Sequence, residues 1–495
     1  MTTPSGWSEK TLNEIALVVR NGVFVSRPRE TPPGSPILRI SAVRPMQLNT
    51  VDVRYVHPSP PRVKEFEVSE GDLLFTRYSG TRDFVGACAV VPGKAAGLLH
   101  PDKLIRVVVD PRLAVPQIIA AYASSPDGRR WLESVMRTTA GQTGLAGGDL
   151  RRFPIPLPPL GEQARIVAAI EEAFSKLDAG EAGLRTVRQL LKRMREAVLS
   201  AGCRGELTED WRRSASPIPV SQTLSTIETV TSAKGRDATT DVLRGRCALA
   251  VGKPTEGMTP AGWEWVPLAT IARLESGHTP SRRHSEYWDD GIPWLSIKDA
   301  RDRHGGCVST TLQTVSPAGL ANSSARILPA GTVSLSRTAS VGYVVTMARP
   351  MATSQDFANW VCTHALLPQF LQMALMAEGE DIKRFGRGTT HTTIYYPELK
   401  ALHICLPPVE EQERIVAEVE RQISFISVCE SAVDAGLAHS GVLRRSVLKA
   451  AFEGRLVSQE PSDGSVTALL EQVHADRARN EESAGGRRRK RGEAP

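Results

Sequence analysis

No run of about 18 apolar residues occurs anywhere in the 495-residue chain, which argues against a helical membrane span. The opening, MTTPSGWSEK, lacks a basic stretch followed by an apolar one, so no secretory signal is expected. Cysteine is sparse: Cys88, Cys203, Cys247, Cys307, Cys362, Cys405 and Cys429 are odd in number, scattered and never spaced as CxxC. That pattern argues against a disulfide framework or a zinc site and leads us to expect a reducing cytoplasm. Aromatic residues make up only 5%. No GxxxxGK[ST] loop is present to cradle the phosphates of ATP.

What the chain does have is positive charge, +7 formally, with a pI near 9.1. A basic surplus suits nucleic acid as a partner. Part of it sits in RRRKR, Arg487–Arg491, which reads as a disordered arm that either solubilises the chain or binds phosphates without sequence preference.

The dominant feature is an internal repeat. LPPLGEQARIVAAIEEAF from Leu157 returns as LPPVEEQERIVAEVERQI from Leu406. Leu157–Leu207 aligns with Leu406–Leu456 without a gap and shares 18 of 51 positions. Weaker echoes extend outward: GWSEKTLNEIA from Gly6 and GWEWVPLATIA from Gly262, EGDLLFTRYSG from Glu70 and AGTVSLSRTAS from Ala330, DLRRFPIPLPP from Asp149 and ELKALHICLPP from Glu398.

In each copy the prolines suit a helix approach but not its interior. The Glu-Gln pair then falls in the first turn, where polar and acidic groups favour the positive end of the dipole. Apolar residues follow on a heptad: Ile166, Ile170, Ala173, Leu177, Leu184, Val187, Leu191, Met194 and Val198, and in the second copy Ile415, Val419, Ile426, Val433, Leu443 and Val447. This period predicts a coiled-coil seam, looser near Gly436 and Ser440. The two helices are expected to pair antiparallel, because a compact domain separates them.

The passages before each helix read as mixed and strand-rich. DKLIRVVVD, GDLLFTR and GTVSLSR are expected strands; VPQIIAAYAS and LLPQFLQMALM are expected helices. The Thr/Ser/Gly-rich stretch at 209–261 reads as a linker, with a short helix at SQTLSTIETV. The expected plan is thus a first variable domain at 1–156, a helix at 157–208, the linker, a second variable domain at 262–405, a helix at 406–457 and a tail at 458–495.

The doubled LPP..EQ.RI, GELTEDWR at Gly205–Arg212, the GW openings and GIPWLSIKD at Gly291–Asp299 together resemble the specificity subunit of type I restriction-modification systems. The resemblance covers nearly the whole chain and rests on the order and duplication of motifs. It implies an α/β (mixed α+β) fold of two target recognition domains joined by two long helices in an antiparallel coiled coil, a pseudo-twofold internal repeat. It also implies double-stranded DNA as target, each domain reading one half of a split sequence and the helices setting the gap. The chain itself would be non-catalytic. Two methyltransferase (modification) subunits would bring S-adenosylmethionine and methylate adenine, and restriction/translocase subunits would bring ATP and Mg. Consistently, none of the Pro-Pro pairs follows Asn or Asp, as an adenine methyltransferase motif requires. PDK at Pro101–Lys103 echoes part of a nuclease motif, but Asp102 reads better as a strand-edge residue.

Base reading requires donors and acceptors on loops that reach base edges. Two loops per copy qualify. The first follows the short Gly-led strand: Arg77, Tyr78, Ser79 and Arg82 in one copy, Arg337, Thr338 and Ser340 in the other. The second precedes the long helix: Gln142 and Thr143, then Arg384, Arg387, Thr389, Thr390, His391 and Thr392. Gly141, Gly144 and Gly386 would allow close backbone approach. Trp288, Trp294 and His278 read as core or turn residues instead. The competing reading is a coiled-coil adaptor whose variable domains bind proteins; a degenerate methyltransferase-nuclease fusion is disfavoured by the missing motifs.

Overall fold

The computed structural model describes residues 4–57, 59–60, 62–139, 142–230, 249–253, 259–388 and 392–473. It separates into two compact units, Met1–Leu184 with Ala435–Pro495, and Arg185–Asp434. The boundary falls inside both long helices, Leu160–Cys203 and Val409–Phe452. Each unit therefore owns one globular part, the start of one long helix and the end of the other.

The duplication extends to sheet order. The first unit has a four-stranded antiparallel sheet ordered Ala16–Asn21, Leu104–Val109, Leu73–Thr76, Cys88–Val90. The second repeats it as Ala272–Ser276, Phe357–Cys362, Val333–Ser336, Val344–Met347, and adds Cys307–Val308 at the edge. Both Gly-led strands are buried along their length and read as continuous apolar or hydroxyl runs. A helix covers each sheet: Pro116–Ser124 buries Ile118, Ile119 and Tyr122, and Pro368–Ala377 buries Phe370, Leu371 and Leu375. Each begins with proline, whose missing N–H is no loss at a helix start.

The Glu-Gln pair at each helix start is buried and acts as a fastener. In the first unit Trp7 Nε1 donates to Glu162 Oε2 (2.9 Å). Gln163 donates to the carbonyls of Leu113 (3.0 Å) and Pro158 (2.8 Å) and accepts from the N–H of Val115 (2.8 Å). In the second unit Trp263 donates to Glu411 (2.8 Å), and Gln412 repeats all three bonds with Ala365, Pro407 and Leu367. The motif is thus more than a favourable dipole placement. It ties the GW strand, the lead-in to the covering helix and the LPP turn to one helix end.

The segment following each long helix also returns to a helix start. Thr208 and Arg212 donate to Glu411 at 2.7 and 2.9 Å, and Trp211 lies under the Arg414 guanidinium. Their counterparts in the first unit are Glu460 and Asp463, which pair with Arg165. Beyond them residues 466–473 are helical, and Val466, Leu470 and Val473 enter the core with Trp7 and Ile166. The expected linker is likewise structured where described: it carries helices Glu209–Ser214 and Val220–Ser225 and the strand Leu249–Val251. Apolar residues spaced too sparsely to register as periodic, such as Trp211 and Val220, anchor it.

Within each unit the long helices run antiparallel. Ile166, Ile170, Leu191, Val198, Ile415, Val419, Ile426 and Val433 are buried as the heptad predicts. Val187, Met194 and Leu443 are not; they are exposed, which corrects the predicted seam. Polar pairs fill its middle. Arg195 donates to Ser427 (3.0 Å) and Glu430 (2.8 Å) in one unit; Arg444 bonds Asp178 and Glu181 in the other. Arg195 and Arg444, and Glu430 and Glu181, are identical positions of the repeat. The region expected to be loose near Gly436 and Ser440 is close-packed. A Cβ on Gly436 would lie 3.0 Å from Leu184, and Ser440 donates to Glu181 at 2.6 Å.

Candidate nucleic-acid interface

At the end of each Gly-led strand sits an arginine, Arg77 or Arg337. Its backbone N–H donates to Lys103 O in the first unit and Asp356 O in the second, both at 2.8 Å. Its guanidinium reaches the carbonyl one residue earlier, Asp102 at 3.4 Å and Gln355 at 3.0 Å. Its own carbonyl accepts from Leu145 N (2.8 Å) or Ile394 N (2.9 Å), the foot of the second loop. One residue thus ties its strand end to two other chain segments, and Asp102 serves through its backbone, in line with a strand-edge role. An aromatic ring lies against each guanidinium, Tyr78 at 4.8 Å and Tyr396 at 5.0 Å. The ring comes from a different segment in each unit, so the same cation–π contact is rebuilt from unrelated sequence. Burial raises the Tyr396 hydroxyl pKa against the opposing pull of Arg337.

The two predicted loops of each copy meet there. In the first unit Arg137–Thr139 pairs with Gln142–Gly144, which pairs with Tyr78–Ser79, placing Thr143 opposite Ser79 and Gly144 opposite Tyr78. The hydroxyls of Thr138 and Thr143 lie 3.2 Å apart. Gly144 is required locally: a Cβ there would sit 2.2 Å from Tyr78 Cε1. In the second unit Arg387 and Thr393 form an antiparallel bridge, and the Thr338 and Thr393 hydroxyls lie 2.9 Å apart. A Cβ on Gly386 would meet Thr392 Cγ2 at 2.5 Å. Ser336 donates to the Ser340 carbonyl at 2.6 Å and closes the loop, with Ala339 in the left-handed region at φ 61°.

Tyr78, Ser79 and Thr143 are therefore brought together, as are Arg337, Thr338 and Thr393, whereas Thr392 packs against Gly386. Gln142 joins the first group through its backbone. Arg82 lies in the exposed turn Arg82–Phe84, beside this sheet in sequence only. Arg384 pairs with buried Glu378 at 2.9 Å, and Arg387, largely exposed, pairs with Glu398 at 3.0 Å. Thr389, Thr390 and His391 lie outside the described residues. The structure adds Thr138, Thr393 and Tyr396 to these groups; the two threonines lie in the same Thr/Gly-rich stretches as Thr143 and Thr392, and the role of Tyr396 has no local signal. Both arrangements gather threonine and serine hydroxyls beside an arginine-braced loop foot, groups suited to base edges and phosphates.

Residues 260–427 match the model of the type I restriction modification DNA specificity domain. The chain is 37% identical over 206 residues to the EcoKI specificity subunit of Escherichia coli (strain K12), spanning 41% of this chain and 44% of that one. It is 24% identical over 501 residues, 96% of both chains, to the StySPI specificity subunit of Salmonella potsdam. The chain is similar to type I restriction-modification specificity subunits along most of its length. A solved chain from work on assembly and conformational transition of the type I R-M system shares this chain's fold, with TM-score 0.61 and 21% identity over 92% of this chain and all of that one. The chain spans less than half of the Escherichia coli relative, and 37% of the MjaIX specificity subunit of Methanocaldococcus jannaschii. Relatives named as restriction-enzyme specificity subunits give the adaptor reading no support. No described helix of the chain is long and apolar enough to cross a membrane.

Proposed function

We propose that each unit of this specificity subunit reads one half of a bipartite, asymmetric sequence in double-stranded DNA, and that the paired helices set the gap between the halves. The chain directs chemistry without performing it. Two modification subunits, carrying S-adenosylmethionine, methylate adenine at the chosen site; restriction subunits bring ATP and Mg; the complex works in the cytoplasm. One observation carries this reading. The same arginine-centred frame is built twice, yet it carries Tyr78, Ser79 and Thr143 in one unit and Thr338, Ser340, Arg387 and Thr393 in the other. A constant frame with a changed surface is what two readers of different sequences need.

Co-expression with a type I adenine methyltransferase, followed by single-molecule sequencing for methyladenine, tests it. The expected product is one split motif with two unlike halves. Methylation without a motif, or no methylation by an assembled complex, contradicts it.

A further inference from the structure

In the second unit the strand Leu402–Leu406 has neighbours on both sides: Glu264–Pro267 antiparallel and Leu249–Val251 parallel. Pro267, which lacks an N–H, stands opposite His403, so the N–H groups of His403 and Cys405 point away from that neighbour and toward the added strand. Among the described residues the equivalent sheet of the first unit has two strands, Ser8–Thr11 and Pro154–Leu157. At the repeat offset of 249, His403 and Cys405 fall on Pro154 and Pro156. The first copy thus has no donors on that edge and needs no cover there. The second copy has them, and the segment between the copies supplies the cover.

That segment also grips the base of the second hairpin. Glu378, fully buried, accepts from the N–H groups of Gly252 (2.7 Å) and Lys253 (3.2 Å). Lys253 pairs with Asp381 at 2.8 Å, and Arg384 links Glu378 to the Ala250 carbonyl at 3.3 Å. Glu378 is the N-cap residue of the 3-10 helix Gly379–Phe385, and Asp381 and Arg384 lie within it. Ile382 of that helix packs under Gly342 of the first loop, and Gly386 follows directly under Thr392 of the second. In the first unit this place is taken by a full α-helix, Pro126–Val135, whose Arg129 bonds the carbonyls of Val85 and Arg82. The second copy has a weaker helix there and an external prop.

We propose that residues 249–253 are a positioning element of the second reader alone: by holding Glu378, Asp381 and Arg384 they set its two base-reading loops. This rests on the bipartite reading proposed above. The test uses the full chain assembled with modification subunits, its methylation mapped over DNAs mismatched in either half. The double variant His403→Pro, Cys405→Pro copies the first unit's edge and releases the strand. Arg384→Ala removes the link from the other side, and Arg384→Lys, which keeps the Glu378 pair, restores part of the effect. Both releasing variants are expected to raise methylation of second-half mismatches about three- to tenfold, with first-half discrimination and the gap unchanged. Unchanged second-half discrimination overturns the proposal, as does equal loss in both halves. Should the double variant fail to fold, Arg384→Ala against Arg384→Lys decides by the same readout. Wild-type protein giving no split motif would instead refute the bipartite reading itself.

Discussion

Arg77 and Arg337 brace the loop feet from within, so in the proposed reading each supports recognition through the frame it holds. Each was singled out as a base-contacting candidate because it follows a short strand and repeats at the same place. The structure turns its guanidinium inward, onto carbonyls and an aromatic ring. Arg337→Ala is therefore expected to weaken discrimination in one half-site about tenfold and leave the other intact, through collapse of the loop foot. Arg337→Lys should not rescue it, since a single ammonium cannot hold two carbonyls and stack. Competition binding against half-site mismatches measures both. Gly144→Ala drives a methyl group into Tyr78 and is expected to cost about 1–3 kcal/mol in thermal unfolding. It should also blunt reading of the other half. The repeat made both arginines visible in sequence. It could not reveal their direction, because that depends on carbonyls from a segment, Asp102 or Gln355, with no recognisable motif.

Among the elements, the two helix starts look alike in sequence but differ electrostatically. Glu411 accepts from Trp263, Thr208 and Arg212. Glu162 has Trp7 and Gln459, with no cation bonded to it among the described residues, and burial raises its pKa. A carboxyl whose folded pKa is raised contributes stability that is full below its unfolded pKa and is lost as pH rises through the folded value. Glu162→Gln keeps the bond from Trp7 and should flatten this loss, so the variant should gain on wild type as pH rises from the mildly acidic range. Glu411→Gln breaks an ion pair with Arg212 and should destabilise by about 1–3 kcal/mol at neutral pH. Melting curves of the two variants from mildly acidic to neutral pH compare them; equal behaviour would refute the asymmetry. The heptad made the helices legible, with Ile166, Ile170 and Ile415 placed as expected. It failed at Val187, Met194 and Leu443, because Arg195 and Arg444 occupy the seam through ion pairs that hydrophobic periodicity does not register. The strand Leu249–Val251 was equally hidden: three apolar residues in a polar stretch gain their meaning only from the edge they cover.

For the whole molecule, the sequence carried the plan further than its details. Gapless alignment over 51 positions revealed the duplication, and the repeated sheet order extends it into passages whose sequences barely match. Which bases are chosen stays a matter of loop geometry. The central claim is that two unlike readers are held at a fixed interval by paired helices. A helix rises about 1.5 Å per residue, so four residues inserted between Ala179 and Val187 lengthen it by about 6 Å. Methyladenine maps of wild type and this insertion, each assembled with modification subunits, test the claim directly. The account predicts one split motif in both, with identical half-sites and a longer gap in the insertion. An unchanged gap, or half-sites that alter with the insertion, would contradict it.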